Sequence, residues 1–119
     1  MISRPPQKET ATRQDLYSGL IRIHILHHAS KGEIFGLWMI AELARHGYQL
    51  SPGTMYPLLH SLEERGFLLS REQREGKRYR RLYRITTVGR KSLAIAKGKV
   101  SELFAELFEG MTEKNRHSN

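Results

Sequence analysis

Apolar residues recur at three- and four-residue spacing in four stretches of the chain, and alternate with polar ones in a fifth. The first stretch, Asp15 to Ala29, reads two ways. Ile21, Ile23 and Ile25 alternate with Arg22 and His24 as in a strand, whereas Leu16, Leu20, Ile23 and His27 fit a helical stripe. About fifteen residues without a turn residue favour the helix, with Ser30-Lys31-Gly32 as its end. Ile34 to Arg45 reads as a second helix, with Leu37, Ile40, Ala41 and Ala44 on one face and Trp38 and Met39 adding bulk beside it. Gly47 stops it. Ser51-Pro52-Gly53 then reads as a helix start, with a Ser N-cap and Pro in the first turn. Met55, Leu58, Leu59 and Leu62 follow at i, i+3, i+4 and i+7, and Gly66 closes the helix.

The alternating stretch comes next. Phe67-Leu68-Leu69 suits a strand, Glu72 to Lys77 forms a polar tip with Gly76 for the turn, and a second strand ends in Leu82-Tyr83-Arg84-Ile85. Tyr83 and Ile85 are expected to face the core, and Arg80, Leu82 and Arg84 the other side. Thr86 caps a last helix carrying Leu93, Ala96, Val100, Leu103, Phe104 and Leu107, followed by Phe108 and stopped by Gly110. The fold class is mainly α with a small β-hairpin (α+β). The arrangement is a winged helix-turn-helix with an N-terminal helix and a C-terminal dimerisation helix. The domain reading is a flexible arm at 1–13, the DNA-binding domain at 14–86, the dimerisation helix at 87–110 and a disordered tail at 111–119.

Charge sharpens this. Lysine and arginine outnumber the acids 20 to 12, a net +8. Between Arg71 and Arg84 there are seven basic residues (71, 74, 77, 78, 80, 81 and 84) and two acids, a net +5 on the hairpin. Such a wing suits a phosphate backbone, and double-stranded DNA is the expected partner. On the third helix the face opposite the apolar stripe carries Thr54, Tyr56, His60 and Ser61, with no carboxylate before Glu63. That is a neutral, hydrogen-bonding surface suited to lie in a groove. Near the end of the last helix, Phe104, Leu107 and Phe108 extend beyond what one small domain covers, so a two-fold homodimer is expected.

Other chemistry is thin. The absence of cysteine excludes disulfides and thiolate metal sites, and is the usage of a reducing cytoplasm. No signal-peptide core and no membrane-spanning run is read, and the expected localisation is cytoplasmic. His24, His27 and His28 sit at i, i+3 and i+4, so two could share a helix face, but nothing nearby completes a metal site, and no metal and no cofactor are expected. No nucleophile or phosphate-binding glycine loop supports an enzyme. The competing class is a winged-helix protein–protein interaction module, which has no need of a basic hairpin.

HGYQLSPGTMYPLLHSLEERGFL (46–68) resembles the signature of the PadR family of bacterial transcriptional regulators. Tyr83-Arg84-Ile85-Thr86 followed by Gly89-Arg90 is similar to that family's end of wing and helix start. Together the matches cover roughly residues 16–108. The resemblance implies a dimeric winged helix-turn-helix regulator, usually a repressor, of the subgroup with a single C-terminal helix. It places Ser51, Pro52, Gly53, Thr54, Tyr56 and His60 at the recognition helix or its cap, and Lys77, Arg78 and Arg80 on the wing, as DNA-contacting positions. Leu93, Ala96, Val100, Leu103, Phe104, Leu107 and Phe108 would form the dimer contact. A small-molecule effector is the remaining expected partner. Its pocket is read between Phe35 and Trp38 of the second helix and the C-terminal helix of either subunit. Many members have His-Gly-Tyr where this chain has Phe35-Gly36-Leu37, so effector specificity does not carry over.

Overall fold

Length decides the ambiguous first stretch. In the computed structural model, which describes the backbone of residues 6–109 and the side chains of residues 15–109, it is helix α1 (Pro6–Lys31). It begins well inside the segment read as an arm, so residues 6–13 are helical, while 1–5 and the tail read at 111–119 lie outside the described residues. The buried face is not the expected one. Ile21, Ile25, Leu26 and Ala29 are buried, whereas Leu16 is 75% and Leu20 43% exposed. The segment is apolar on more than one side, so periodicity alone leaves the inward face open; the elements that pack on it choose.

Helix α2 (Gly36–Arg45) starts two residues later than read. Ile34 is instead a β-bridge, exchanging both backbone hydrogen bonds with Tyr83 at 2.9 and 2.8 Å. Gly36, Met39 and Leu43 are its buried face, with Ile40 partly buried. Leu37, Ala41 and Ala44 point outward, and Trp38 is 40% exposed. Helix α3 (Pro52–Glu64) buries Met55, Leu59 and Leu62 as its stripe requires.

Strands β1 (Leu68–Glu75) and β2 (Arg78–Ile85) form an antiparallel hairpin closed by Gly76 and Lys77. Gly76 has φ +63° and Lys77 does not share the positive φ, which fits a II′ rather than a I′ turn. Paired residues share a face: Leu68 with Ile85, Ser70 with Tyr83, Glu72 with Arg81 and Arg74 with Tyr79 on one side. Leu69 with Arg84, Arg71 with Leu82, Gln73 with Arg80 and Glu75 with Arg78 lie on the other. Tyr83 and Ile85 are buried as expected, but Leu82 is buried too, although it points to the opposite side. The bridge from Ile34 explains why that side is not open surface along its whole length.

Ser70 fastens the hairpin to α3: its N–H and hydroxyl donate to the Glu63 carboxylate at 3.0 and 2.8 Å. Helix α4 (Thr87–Leu107) opens on the expected cap, the Thr86 hydroxyl accepting from the Gly89 N–H at 2.9 Å. The same hydroxyl donates to the Gly66 carbonyl, so the α3 terminus and the α4 start are tied at one residue. Ile25, Met39, Leu43, Met55, Leu59, Leu62 and Leu68 are fully enclosed, which places the core among α1, α2, α3 and the base of the hairpin.

Candidate nucleic-acid interface

The start of α3 projects from this core. Ser51 is its N-cap, with extended backbone, but its side chain makes no capping bond to the helix; its hydroxyl lies 3.5 Å from that of Thr54. The hydroxyls of both residues therefore remain available to an outside partner. Pro52, Gly53 and Thr54 are exposed, as are Tyr56 and His60. Pro57 lies inside the helix, and its missing N–H leaves the Gly53 carbonyl without its usual helical donor. The helix thus begins with exposed donors and an exposed acceptor on the side facing away from the core.

Tyr56 is not a free side chain. A Cβ built on Gly36 would come within 2.6 Å of the Tyr56 ring, so the ring lies directly on the first residue of α2. It is still 43% exposed. Next to it opens a cleft of about 440 Å³ between the start of α2 and strand β2. The cleft exists because Ile34 pairs with Tyr83 and the chain then turns away into α2, leaving Phe35, Gly36 and Leu37 opposite Arg78, Tyr79, Arg80 and Arg81. Of the residues expected to meet DNA, Tyr56, Arg78 and Arg80 converge on this cleft. Ser51 to Thr54 sit at the open end of α3, and His60 lies farther along α3 with Glu64 at 3.7 Å. Lys77 is at the exposed tip of the hairpin.

The basic excess of the wing is partly balanced. Arg71 makes a two-pronged bond to Glu33 at 2.7 Å, which holds the Glu33 carboxyl below its ordinary range. Arg81 meets Glu72 at 3.0 Å and Arg80 meets Glu75 at 3.4 Å. Arg80 also lies over the Phe35 ring, 4.1 Å from its centroid. Among the described residues Arg74, Lys77, Arg78 and Arg84 have no acidic partner within ion-pair distance. Arg74, Lys77 and Arg78 therefore stand unneutralised at or beside the tip, and Arg84 near the base of the hairpin. Sequence reasoning missed Gly36, Leu37 and Arg81 as cleft residues; the contacts that place them span 20 to 45 positions and leave no local signal.

Phe35 and Trp38 do share a hollow, but not the expected one. It is formed with His28, Lys31, Gly32, Glu33 and Ile34, at the end of α1 and the loop to α2, without α4. Behind it, His24 stacks on His46 at 5.1 Å and His28 meets the Trp38 ring at 5.4 Å, with Glu42 within 3.5 Å of both His28 and His46. Burial, together with the neighbouring His46, His28 and His27, pushes the His24 imidazole below its ordinary value. Among the described residues no group of three or more His, Cys, Asp or Glu side chains is arranged to hold a metal ion. No helix among them is long and apolar enough to cross a membrane.

A bridged hairpin, an exposed helix start and a cleft of arginines between them define a winged-helix protein. The model of the transcriptional regulator PadR-like family matches residues 25–95. The chain belongs to that family. It is 46% identical over 92 residues to the transcriptional regulator Rv3488 of Mycobacterium tuberculosis (strain ATCC 25618 / H37Rv), covering 77% of this chain and 86% of that protein. Among solved structures it is similar to a PadR family transcriptional regulator from Eggerthella lenta DSM 2243, with TM-score 0.73 and 24% identity. That likeness covers 88% of this chain and 93% of the other. It is also similar to the transcriptional regulator TA0346 of Thermoplasma acidophilum, at TM-score 0.70 and 26% identity over 83% and 96% of the two chains. The family and the Mycobacterium tuberculosis relative are described as transcriptional regulators, and the chain is a transcriptional regulator.

Proposed function

We propose that the chain binds double-stranded DNA as a homodimer and represses transcription by covering an operator near a promoter. The supporting observation is the convergence of Tyr56 from α3 with Arg78 and Arg80 from β2 on one exposed cleft. In this reading the first turns of α3 enter the major groove, with Ser51, Thr54, Tyr56 and His60 toward base edges and phosphates. Pro52 and Gly53 permit close backbone approach, and Lys77, Arg78 and Arg80 follow the backbone alongside. The exposed end of α4, with Val100, Leu103, Phe104 and Leu107, supplies the two-fold contact that spaces two α3 helices about one helical turn of DNA apart; Leu93, expected in that contact, is instead buried in the core of its own chain. An effector acting at the Phe35–Trp38 hollow would release the operator by favouring a geometry that no longer fits it.

Tyr56→Ala is expected to weaken operator binding at least tenfold in a mobility-shift assay while leaving the thermal midpoint within a few degrees. Unchanged binding by that variant would remove α3 as the reading helix. Lys77→Ala with Arg78→Ala should weaken selected and unselected duplexes alike, and lower the slope of log K against log salt by about two, roughly 0.9 for each phosphate no longer neutralised. A loss confined to one sequence would instead make these residues base readers.

A further inference from the structure

Two side chains proposed to meet DNA come from elements far apart in the chain, yet both rest on the same dipeptide. Arg80 of β2 lies over the Phe35 ring at 4.1 Å, and the Tyr56 ring of α3 lies on Gly36, where a Cβ would stand 2.6 to 3.0 Å from its ring carbons and hydroxyl. Phe35 is itself fixed, since Ile34 before it is locked to Tyr83 by two backbone bonds and Gly36 after it opens α2. The alternatives open to Arg80 are weaker. Gln73 at 3.4 Å and Glu75 at 3.4 Å are both long contacts, and the Glu75 side chain is 61% exposed. A guanidinium on an aromatic face keeps its N–H edges free for a phosphate, because the ring engages only its flat side.

We infer that Phe35-Gly36 is the positioning element of the DNA interface: Phe35 orients Arg80 and Gly36 leaves room for Tyr56, so that a wing contact and a recognition-helix contact are held in one register. This inference rests on the proposed DNA-binding reading of Tyr56 and Arg80. It adds that neither Phe35 nor Gly36 needs to touch DNA for its replacement to weaken binding. It also accounts for a glycine in the first turn of a helix, where most residues would serve better than Gly. The atoms nearest to an added methyl at Gly36 all belong to the far end of the Tyr56 side chain, so the ring moves aside at little cost to the fold but leaves its place in the interface.

The test uses the full chain, a duplex enriched by the native protein from a random-sequence pool, and an unselected duplex of equal length. Phe35→Leu keeps most of the volume and loses the π face; Phe35→Tyr keeps both. Phe35→Leu and Arg80→Ala are each expected to weaken the enriched duplex about five- to tenfold and to lower the salt slope by about one. The double variant should be no weaker than either single one, and Phe35→Tyr should bind as the native protein does. Gly36→Ala should lose binding comparably to Tyr56→Ala, add nothing in combination with it, and melt at or above the native temperature. Additive losses in both pairs, or full binding by Phe35→Leu and Gly36→Ala while Arg80→Ala and Tyr56→Ala are weak, would overturn the positioning role and leave the DNA reading intact. Full binding by Arg80→Ala and Tyr56→Ala themselves would overturn both.

Discussion

Single side chains in this protein take their properties from neighbours that are distant in sequence. His24 is one of three histidines whose spacing on α1 resembles a metal-ligand pattern. In the structure it stacks on His46, meets the Tyr48 ring at 5.4 Å and lies 6.5 Å from the His28 ring. The groups facing this cluster are His27 from α1, Glu42 and Arg45 from α2, and Tyr48 beyond it. Burial first, then the other imidazoles, lowers the His24 value in the folded protein, and burial is also the leading cause for His28. Both values fall below that of the unfolded chain, so the unfolded state binds more protons as the pH drops through about 6.5. Stability contributed by neutral His24 and His28 is therefore complete above that pH and declines below it. Glu42, whose carboxyl is lowered mainly by its bond to Arg45, stays ionised in this window and moderates the loss. Urea midpoints measured from about pH 7.5 to about pH 5.5 should fall, and His24→Gln should flatten the decline. An equally steep decline in that variant would exclude His24 as a source.

At the scale of elements, two glycines of α4 separate packing from propensity. A Cβ on Gly89 would collide with the Phe67 carbonyl and stand 2.7 Å from Ile85 Cγ1, so the helix can dock on the hairpin base only without one. Backbone cannot step aside as a side-chain tip can. Gly89→Ala is expected to destabilise by about 1–3 kcal/mol despite the better helix former. Gly98 has nothing within 4 Å of the same position and lies across the helix from the Val100–Leu107 stripe. There Ala should stabilise by roughly 0.5–1 kcal/mol. Denaturant unfolding of the two variants should move in opposite directions; a shared sign would mean that propensity, or a contact across a subunit boundary, governs both. The same contrast shows what is legible in sequence. Thr86 is readable as a cap and Met55, Leu59 and Leu62 as a stripe, because caps and periodicities are local. The burial of Leu82 and the strand role of Ile34 are not, since each depends on a bridge between residues 49 positions apart.

At the scale of the whole molecule, the end of α4 presents an apolar surface that the described residues leave uncovered. Val100, Leu103, Phe104, Leu107 and Phe108 are 40 to 67% exposed, and the Phe104 and Phe108 rings lie 4.8 Å apart. On α1, which packs against α4, Leu16 and Leu20 are exposed as well. Solvent-facing apolar surface of this extent suits an association site, and in the proposed homodimer a second copy covers it with matching chemistry on both sides. Phe104→Glu with Leu107→Glu should shift sedimentation toward the monomer and weaken operator binding far more than nonspecific binding. Paired recognition needs fixed spacing, whereas phosphate attraction does not. Retained dimer sedimentation in that variant would move the interface elsewhere.

Patterns within about seven residues of one another, read by themselves, determine the order of elements, the start and stop of α3, the hairpin with its Gly76 turn and the basic character of the wing. These follow from backbone sterics, side-chain period and charge, which act along the chain. Tertiary structure alone decides which face of α1 turns inward, that Trp38 stays half in solvent, which arginines are neutralised, and that Phe35-Gly36 underlies both Arg80 and Tyr56. Those outcomes depend on where separate elements are brought together, and contact across space carries no period for a sequence to show.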